Sequence, residues 1–259
     1  MADQIIVGSL INFTELGYYS QSLKVPKMSL AFINSLSIVL MPTIANLYEK
    51  NNISSIEKYL KSSLEITICI GVFGASSMAA VSSKFIPIFF GEKFEVIVQY
   101  MMIISLIAII IPIGLVFTNQ FIIPTSKNKE YVIPIISAAL VSLICNITFI
   151  PIIGVSAAII TVILSEFTST SLKIFLVRKY LNIKEIFNGS YIYFLFGIVN
   201  FLLVVLILSL FKTNIFSLLL GCILCFLFYG SQLIIFNNPI RSMIYEFYSR
   251  LRLKRINEK

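Results

Sequence analysis

The 259 residues are 58% hydrophobic and 12% charged, with a mean hydropathy of +0.95 and a net charge of +8. A soluble globular chain devotes roughly a quarter of its residues to charge, so this composition excludes that class and describes an integral membrane protein. No nucleic-acid module accompanies the positive balance, and nucleic acid is not an expected partner; basic residues in membrane proteins gather on cytoplasmic loops for reasons of topology. The sequence holds no His, the commonest general base, proton shuttle and metal ligand, so neither an enzyme nor a metal or other cofactor is expected.

In chain order, Ile5 to Phe13 is too short to cross a bilayer. It either lies in the interface or is the outer end of a helix whose beginning is missing. Hydropathy and length then predict seven spans: Met28–Leu47, Leu64–Ser82, Val98–Ile123, Tyr131–Ile150, Val155–Val177, Tyr191–Phe211 and Ile215–Phe236. The fold class is therefore all-α: a polytopic transmembrane helix bundle of about seven full spans plus a partial N-terminal one.

The first span is introduced by Lys24 and Lys27 and interrupted by Asn34, Ser35 and Ser37, which predicts a polar side turned to protein or to a water-filled cavity. Gly71, Gly74, Ala75, Ser76 and Ser77 make the middle of the second span small enough for close helix contact. Pro112 with Gly114, and Pro134, predict kinks whose freed carbonyls are met by neighbouring helices or a cavity. Cys69, Cys145, Cys222 and Cys225 lie in apolar segments and read as small hydrophobes, Cys222 and Cys225 having no second pair or His to complete a metal site. In the basic tail, Ile240, Ile244, Phe247 and Leu251 recur at helical spacing, the pattern of a helix on anionic lipid; a solvated tail is the alternative.

Fifteen of the twenty Lys and Arg residues fall on one side of this topology, in the loops at Lys58, Lys127 and Lys184 and in the tail, which assigns that side to the cytoplasm. Ionisable residues at depth are the functional candidates, because each costs at least ~2.5 kcal/mol at a helix centre unless it faces the interior. Glu166 lies mid-span, and helical spacing puts it on one face with Ser169, Thr170 and Lys173. Its carboxyl either locks two helices together or serves a substrate, ion or proton. Lys24 and Lys27, three apart, share a face near the outer surface, where they either hold a phosphate or pyrophosphate by charge or snorkel to the interface. Asn34 and Asn119 add hydrogen-bonding positions to the candidate substrate-binding set of Lys24, Lys27, Asn34, Glu166 and Asn119. The side chains of Gln120, Asn146, Asn200 and Gln232 are further candidates for the same lumen.

Several motifs taken together carry a resemblance. They are Asp3-Gln4-Ile5-Ile6-Val7-Gly8, Glu15-x-Gly17-Tyr18-Tyr19-Ser20, Val39-Leu40-Met41-Pro42, Phe90-Gly91-x-x-Phe94, Pro124-x-x-Lys127, and Asn146 with Pro151-x-x-Gly154-x-x-Ala157-Ala158. In order and spacing they resemble the polysaccharide transporter family, the O-antigen and capsule flippases of the multidrug/oligosaccharidyl-lipid/polysaccharide exporter superfamily. Ser156 departs from the Gly usual before the two alanines. The resemblance implies two pseudo-symmetric lobes around a central cavity, of which this sequence resembles only the second, from inside the seventh span. It divides the chain into a second-lobe bundle over 1–184, an additional two-span pair over 185–236 and a basic cytoplasmic tail over 237–259. It also implies flipping of an undecaprenyl-diphosphate-linked oligosaccharide across the bacterial plasma (inner) membrane for capsule or lipopolysaccharide synthesis.

On this reading the partners are membrane lipid, the lipid-linked glycan and a separately encoded first lobe, without which the chain is expected not to transport. A drug or cation antiporter of the same superfamily is the alternative, with Glu166 as its acidic residue, and a non-functional gene remnant is another. The charge bias makes the topology testable. Single cysteines at positions 58 and 184 of a Cys-free chain are expected to resist an impermeant thiol reagent on intact cells and to react once the cells are opened.

Overall fold

The computed structural model describes Gln4, Gly8, Ser9, residues 13–236 and Ile240; within 13–39 the side chains at 13, 25, 28, 29, 31–37 and 39 are outside that set. Most of the N-terminal fragment, the tail beyond Ile240 and the side chain of Asn34 therefore lie outside the described residues. Among the described residues every regular element is a helix: α1 (Phe13–Val39), α2 (Met41–Glu49), α3 (Ile53–Phe89), α4 (Val96–Ile104), α5 (Ile107–Phe117), α6 (Asn128–Ile153), α7 (Val155–Val177), α8 (Ile183–Ile186), α9 (Tyr191–Ser209) and α10 (Ile215–Ile235). A short 3₁₀ turn, Glu92–Phe94, precedes α4, and a π-helix, Thr118–Ile122, continues α5. Six runs are long and apolar enough to cross a membrane, with 96–122 counted as one, which makes the molecule the expected polytopic bundle.

The predicted stretch Met28–Leu47 is divided. α1 starts at Phe13, incorporates Glu15, Lys24 and Lys27, and stops at Val39, and α2 takes over at Met41. Pro42 explains the break, because its ring nitrogen has no proton for the carbonyl of Ile38 and suits the first turn of a new helix. α3 extends well beyond the predicted Leu64–Ser82: its 37 residues make it about 55 Å long. Asn52 starts it by accepting from Ser55 N–H at 3.1 Å, and Gly91, at φ +94°, turns the chain after its end. α7 occupies the predicted residues Val155–Val177, separated from α6 by Gly154 at φ +63°.

α3 is the axis of the bundle, touching α1, α2, α4, α5, α8, α9 and α10, while α6 packs chiefly on α7. The apolar core at one end gathers Ile56, Leu60, Leu64 and Ile68 of α3 with Phe117 of α5, Phe121, Val177 of α7, and Tyr193 and Phe196 of α9. At the other end Tyr19 and Leu23 of α1 meet Ile104, Ile107, Ile150, Val155 and Ala158.

Close approach depends on the small residues. A Cβ on Gly71 would stand 2.7 Å from the carbonyl oxygen of Ala108, and one on Gly197 would collide with Val72. The Ala108 carbonyl is the one that Pro112 deprives of its helical donor, and it is turned onto Gly71 of the neighbouring helix. Two residues along α5 from Ala108, Thr170 Oγ1 donates to the Ile110 carbonyl at 3.1 Å. The backbone around Pro112 is thus covered by α3 and α7, where lipid would offer it no partner. Gly74, by contrast, faces open space apart from Met78.

The two ends of the bundle are pinned by charge. Lys84, buried on α3, donates to the Phe211 carbonyl at 2.8 Å, placing a cation at the carbonyl end of α9. At the opposite end Lys127 Nζ lies 3.6 Å from the Tyr180 ring centroid and donates to Tyr48 Oη at 3.1 Å. Beside it Lys179 pairs with Glu130 at 2.8 Å, and Tyr180 Oη donates to the same carboxylate at 3.1 Å. That carboxylate holds the Lys179 ammonium above the usual lysine range.

Gly71→Ala is expected to destabilise the protein by about 1–3 kcal/mol, since the atom it strikes is main chain and cannot rotate away. Gly74→Ala is expected to be neutral or mildly stabilising. Reversible unfolding of the two variants in the same detergent compares them.

Candidate functional site

The polar residues of α7 lie along one face, as their spacing predicts. Ser169 and Thr170 are buried against neighbouring helices, while Glu166 and Lys173, on the turns flanking them, are half-buried. Phe167 is exposed on the other side. Gly114 makes room for this stripe on α5: a Cβ there would meet Thr170 Oγ1 at 2.6 Å and Lys173 Nζ at 3.6 Å. The absent side chain therefore lets a hydroxyl and an ammonium approach a helix in which Pro112 leaves the Ala108 carbonyl without its helical donor.

Glu166 is within electrostatic reach of two ammoniums, Lys173 of its own helix and Lys27 of α1. Lys27 and Lys24 are themselves exposed. The structure thus brings Lys27, Glu166 and Lys173 into one constellation across α1 and α7, with Lys24 a turn away on the same helix. The formal charges of these four groups sum to +2, so an anion can be held there with one carboxylate already satisfied.

Asn119 sits half-buried on the π-helix, an element that also packs against α1, and it already has a partner. π-turns of this kind are concentrated at functional sites, because the inserted residue re-aims its neighbours. The backbone of Asn34 belongs to α1, but its side chain lies outside the described residues.

Three of the other amides, Gln120, Asn146 and Asn200, are enclosed within the bundle. Gln120 is fully buried and donates to Ser63 Oγ at 2.6 Å, tying the π-helix to α3. Asn200 is equally buried and donates to Ser76 Oγ at 3.0 Å, tying α9 to α3. Asn146 donates to Ser142 of its own helix at 3.2 Å. Their single-sequence signal, an amide at membrane depth, is the same for a helix tie and for a substrate contact, so sequence reasoning could not separate the two.

Two groups were missed. Lys173 was legible on the Glu166 face but not as a partner of its charge. Glu65, only 2% exposed on α3, escaped because it falls one residue inside the predicted span Leu64–Ser82, where a charged side chain reads as interfacial. Among the described residues no group of His, Cys, Asp and Glu is arranged to hold a metal ion.

Residues 1–99 match the model of a family described as polysaccharide biosynthesis protein. The matched stretch covers α1, α2, α3 and the start of α4, and so carries Lys24 and Lys27 but neither Asn119 nor Glu166. No curated protein and no solved structure matches the chain.

Electrostatic coupling between Glu166 and Lys173 is measurable by a double-mutant cycle. Glu166→Gln and Lys173→Met are each expected to destabilise the protein, and the double variant to lose less than their sum by about 0.5–3 kcal/mol. Strict additivity in detergent unfolding would show that the two charges do not act on each other.

Proposed function

We propose that this lobe moves a lipid-diphosphate-linked oligosaccharide across the plasma membrane for the synthesis of surface polysaccharide. The observation that carries the reading is a pair of exposed ammoniums, Lys24 and Lys27, on a helix inside the stretch that matches polysaccharide biosynthesis proteins. Behind them, Glu166 and Lys173 supply a second, half-buried polar layer.

The chemistry asked of the site is modest, for flipping breaks no covalent bond. The protein has to strip a diphosphate of part of its water, hold it while the glycan passes, and release it. Ammoniums suit this because they are compact point donors that do not lock an anion bidentately. Glu166, within electrostatic reach of Lys27 in the empty lobe, limits the net charge and gives the ammonium a partner to return to on release. The C-terminus lies on the cytoplasmic side in this scheme, with the basic loops.

Transport by two-lobe exporters of the kind the sequence resembles requires one lobe to rock against another around a site between them. Here the lysines of α1 are exposed, as groups lining a site shared with a second lobe would have to be. A drug or cation antiporter is the second reading, and Glu166 midway along α7 is the observation favouring it.

Proteoliposomes carrying a fluorescent undecaprenyl-diphosphate-linked oligosaccharide test the proposal, with the chain alone and with a first lobe co-expressed. Flipping is expected only in the second case. Replacing Lys24 and Lys27 together by Gln should slow it by about tenfold or more, and by Arg much less. Equal rates for the Gln pair would remove the phosphate role, and drug-stimulated cation flux without lipid flipping would establish the antiporter.

A further inference from the structure

Glu65 is a buried ionisable group that the proposed transport site does not use. It lies on α3 about three turns from the helix start, at the end of the bundle where α3 meets α9 and α10. Its side chain is 2% exposed, and Oε1 is buried with no hydrogen-bond partner among the described residues.

The neighbours narrow what this carboxyl can do. Lys61, one turn back on α3, is half-buried and within electrostatic reach, but it makes no ion pair with Glu65. From α9, fully buried Tyr193 feels the charge of Glu65, and its hydroxyl accepts from Ile240 N–H at 3.2 Å. From α10, Tyr229 donates its hydroxyl proton to the Cys69 carbonyl at 2.9 Å. The phenols and the Cys69 thiol belong to classes that hold their protons at neutral pH, which leaves Glu65, as a carboxyl, the member of this cluster that can give one up.

We propose that Glu65 is a proton-binding site, loaded and emptied from the side at which the loops of Lys58 and Lys184 emerge. A bare carboxylate oxygen in a dry site costs several kcal/mol, and a bound proton removes that cost. Loss of the proton therefore demands a change around the group: water entering between α3, α9 and α10, or the helices parting. Two arrangements of these helices, one favouring the protonated and one the ionised carboxyl, are then linked to proton binding by their difference in affinity. The site holds whether or not the protein moves a lipid-linked sugar.

Infrared difference spectroscopy of the full chain in nanodiscs, titrated with pH and without any substrate, tests this directly. Against the bands of the other carboxyls, one C=O component of a protonated acid is expected to appear and vanish reversibly with pH, to be lost in Glu65→Gln and kept in Glu166→Gln. Lys61→Met, which removes the ammonium favouring the charged form and leaves the core intact, should raise the midpoint by about half a pH unit. A difference spectrum that Glu65→Gln leaves unchanged, or a midpoint of the Glu65 component unmoved by Lys61→Met, overturns the proposal. If Glu65→Gln fails to fold, the Lys61→Met midpoint alone decides.

Discussion

The structure turns on a main-chain carbonyl that its own helix cannot satisfy. Pro112 has no proton for the Ala108 oxygen, and in hydrocarbon no water is available to replace it. The carbonyl is set on Gly71, where the missing side chain lets α3 approach to contact distance, and Thr170 from α7 donates its hydroxyl to the nearby Ile110 carbonyl. The same Thr170 fills the space that Gly114 leaves open. Three helices are thereby locked in register around a defect. That register sets which face of α7 carries Glu166 and Lys173 towards α1.

The defect also explains why the polar stripe is divided. Ser169 and Thr170 are consumed in packing, because hydroxyls can bond a nearby carbonyl at little entropic cost. Glu166 and Lys173 are one turn to either side, too long and too charged to be enclosed, and so remain half open. The hydroxyls hold the helices while the charged pair, with Lys27, keeps a chemistry available to a ligand.

Much of this was legible in the sequence, and the reasons are specific. Val155–Val177 was readable to its ends because Gly154 at positive φ and a basic loop mark them. The close-contact role of small residues on α3 was readable at Gly71 because lipid leaves few other uses for them. What was not readable depended on contacts between distant helices. No local signal tells that Pro42 splits one apolar run into α1 and α2 while Pro134 and Pro151 leave α6 continuous. Gln120, Asn146 and Asn200 looked like lumen residues because amides at depth are costly anywhere, and only the positions of Ser63 and Ser76 show that two of them are helix ties. Lys84 likewise read as an external lysine, although its ammonium ends on a carbonyl 127 residues away.

The two carboxyls at membrane depth are placed for different work. Glu166 has two ammoniums within electrostatic reach, from α1 and from α7, and is half open, so its charge is met by fixed partners and by whatever enters the site. Moving α1 away from α7 would strip it of Lys27, which makes its electrostatics a function of helix position. Glu65 has the opposite setting: enclosed by apolar residues and phenols, with one oxygen bare and its single nearby ammonium on its own helix. No rigid-body shift of another helix can remove Lys61 from it, so the charge state of Glu65 responds to solvent entry rather than to the displacement of a partner. A bundle with both arrangements can sense a bound anion at one place and hydration at another. α3 links the two places physically, since Gly71 and Glu65 lie within two turns of the same continuous helix.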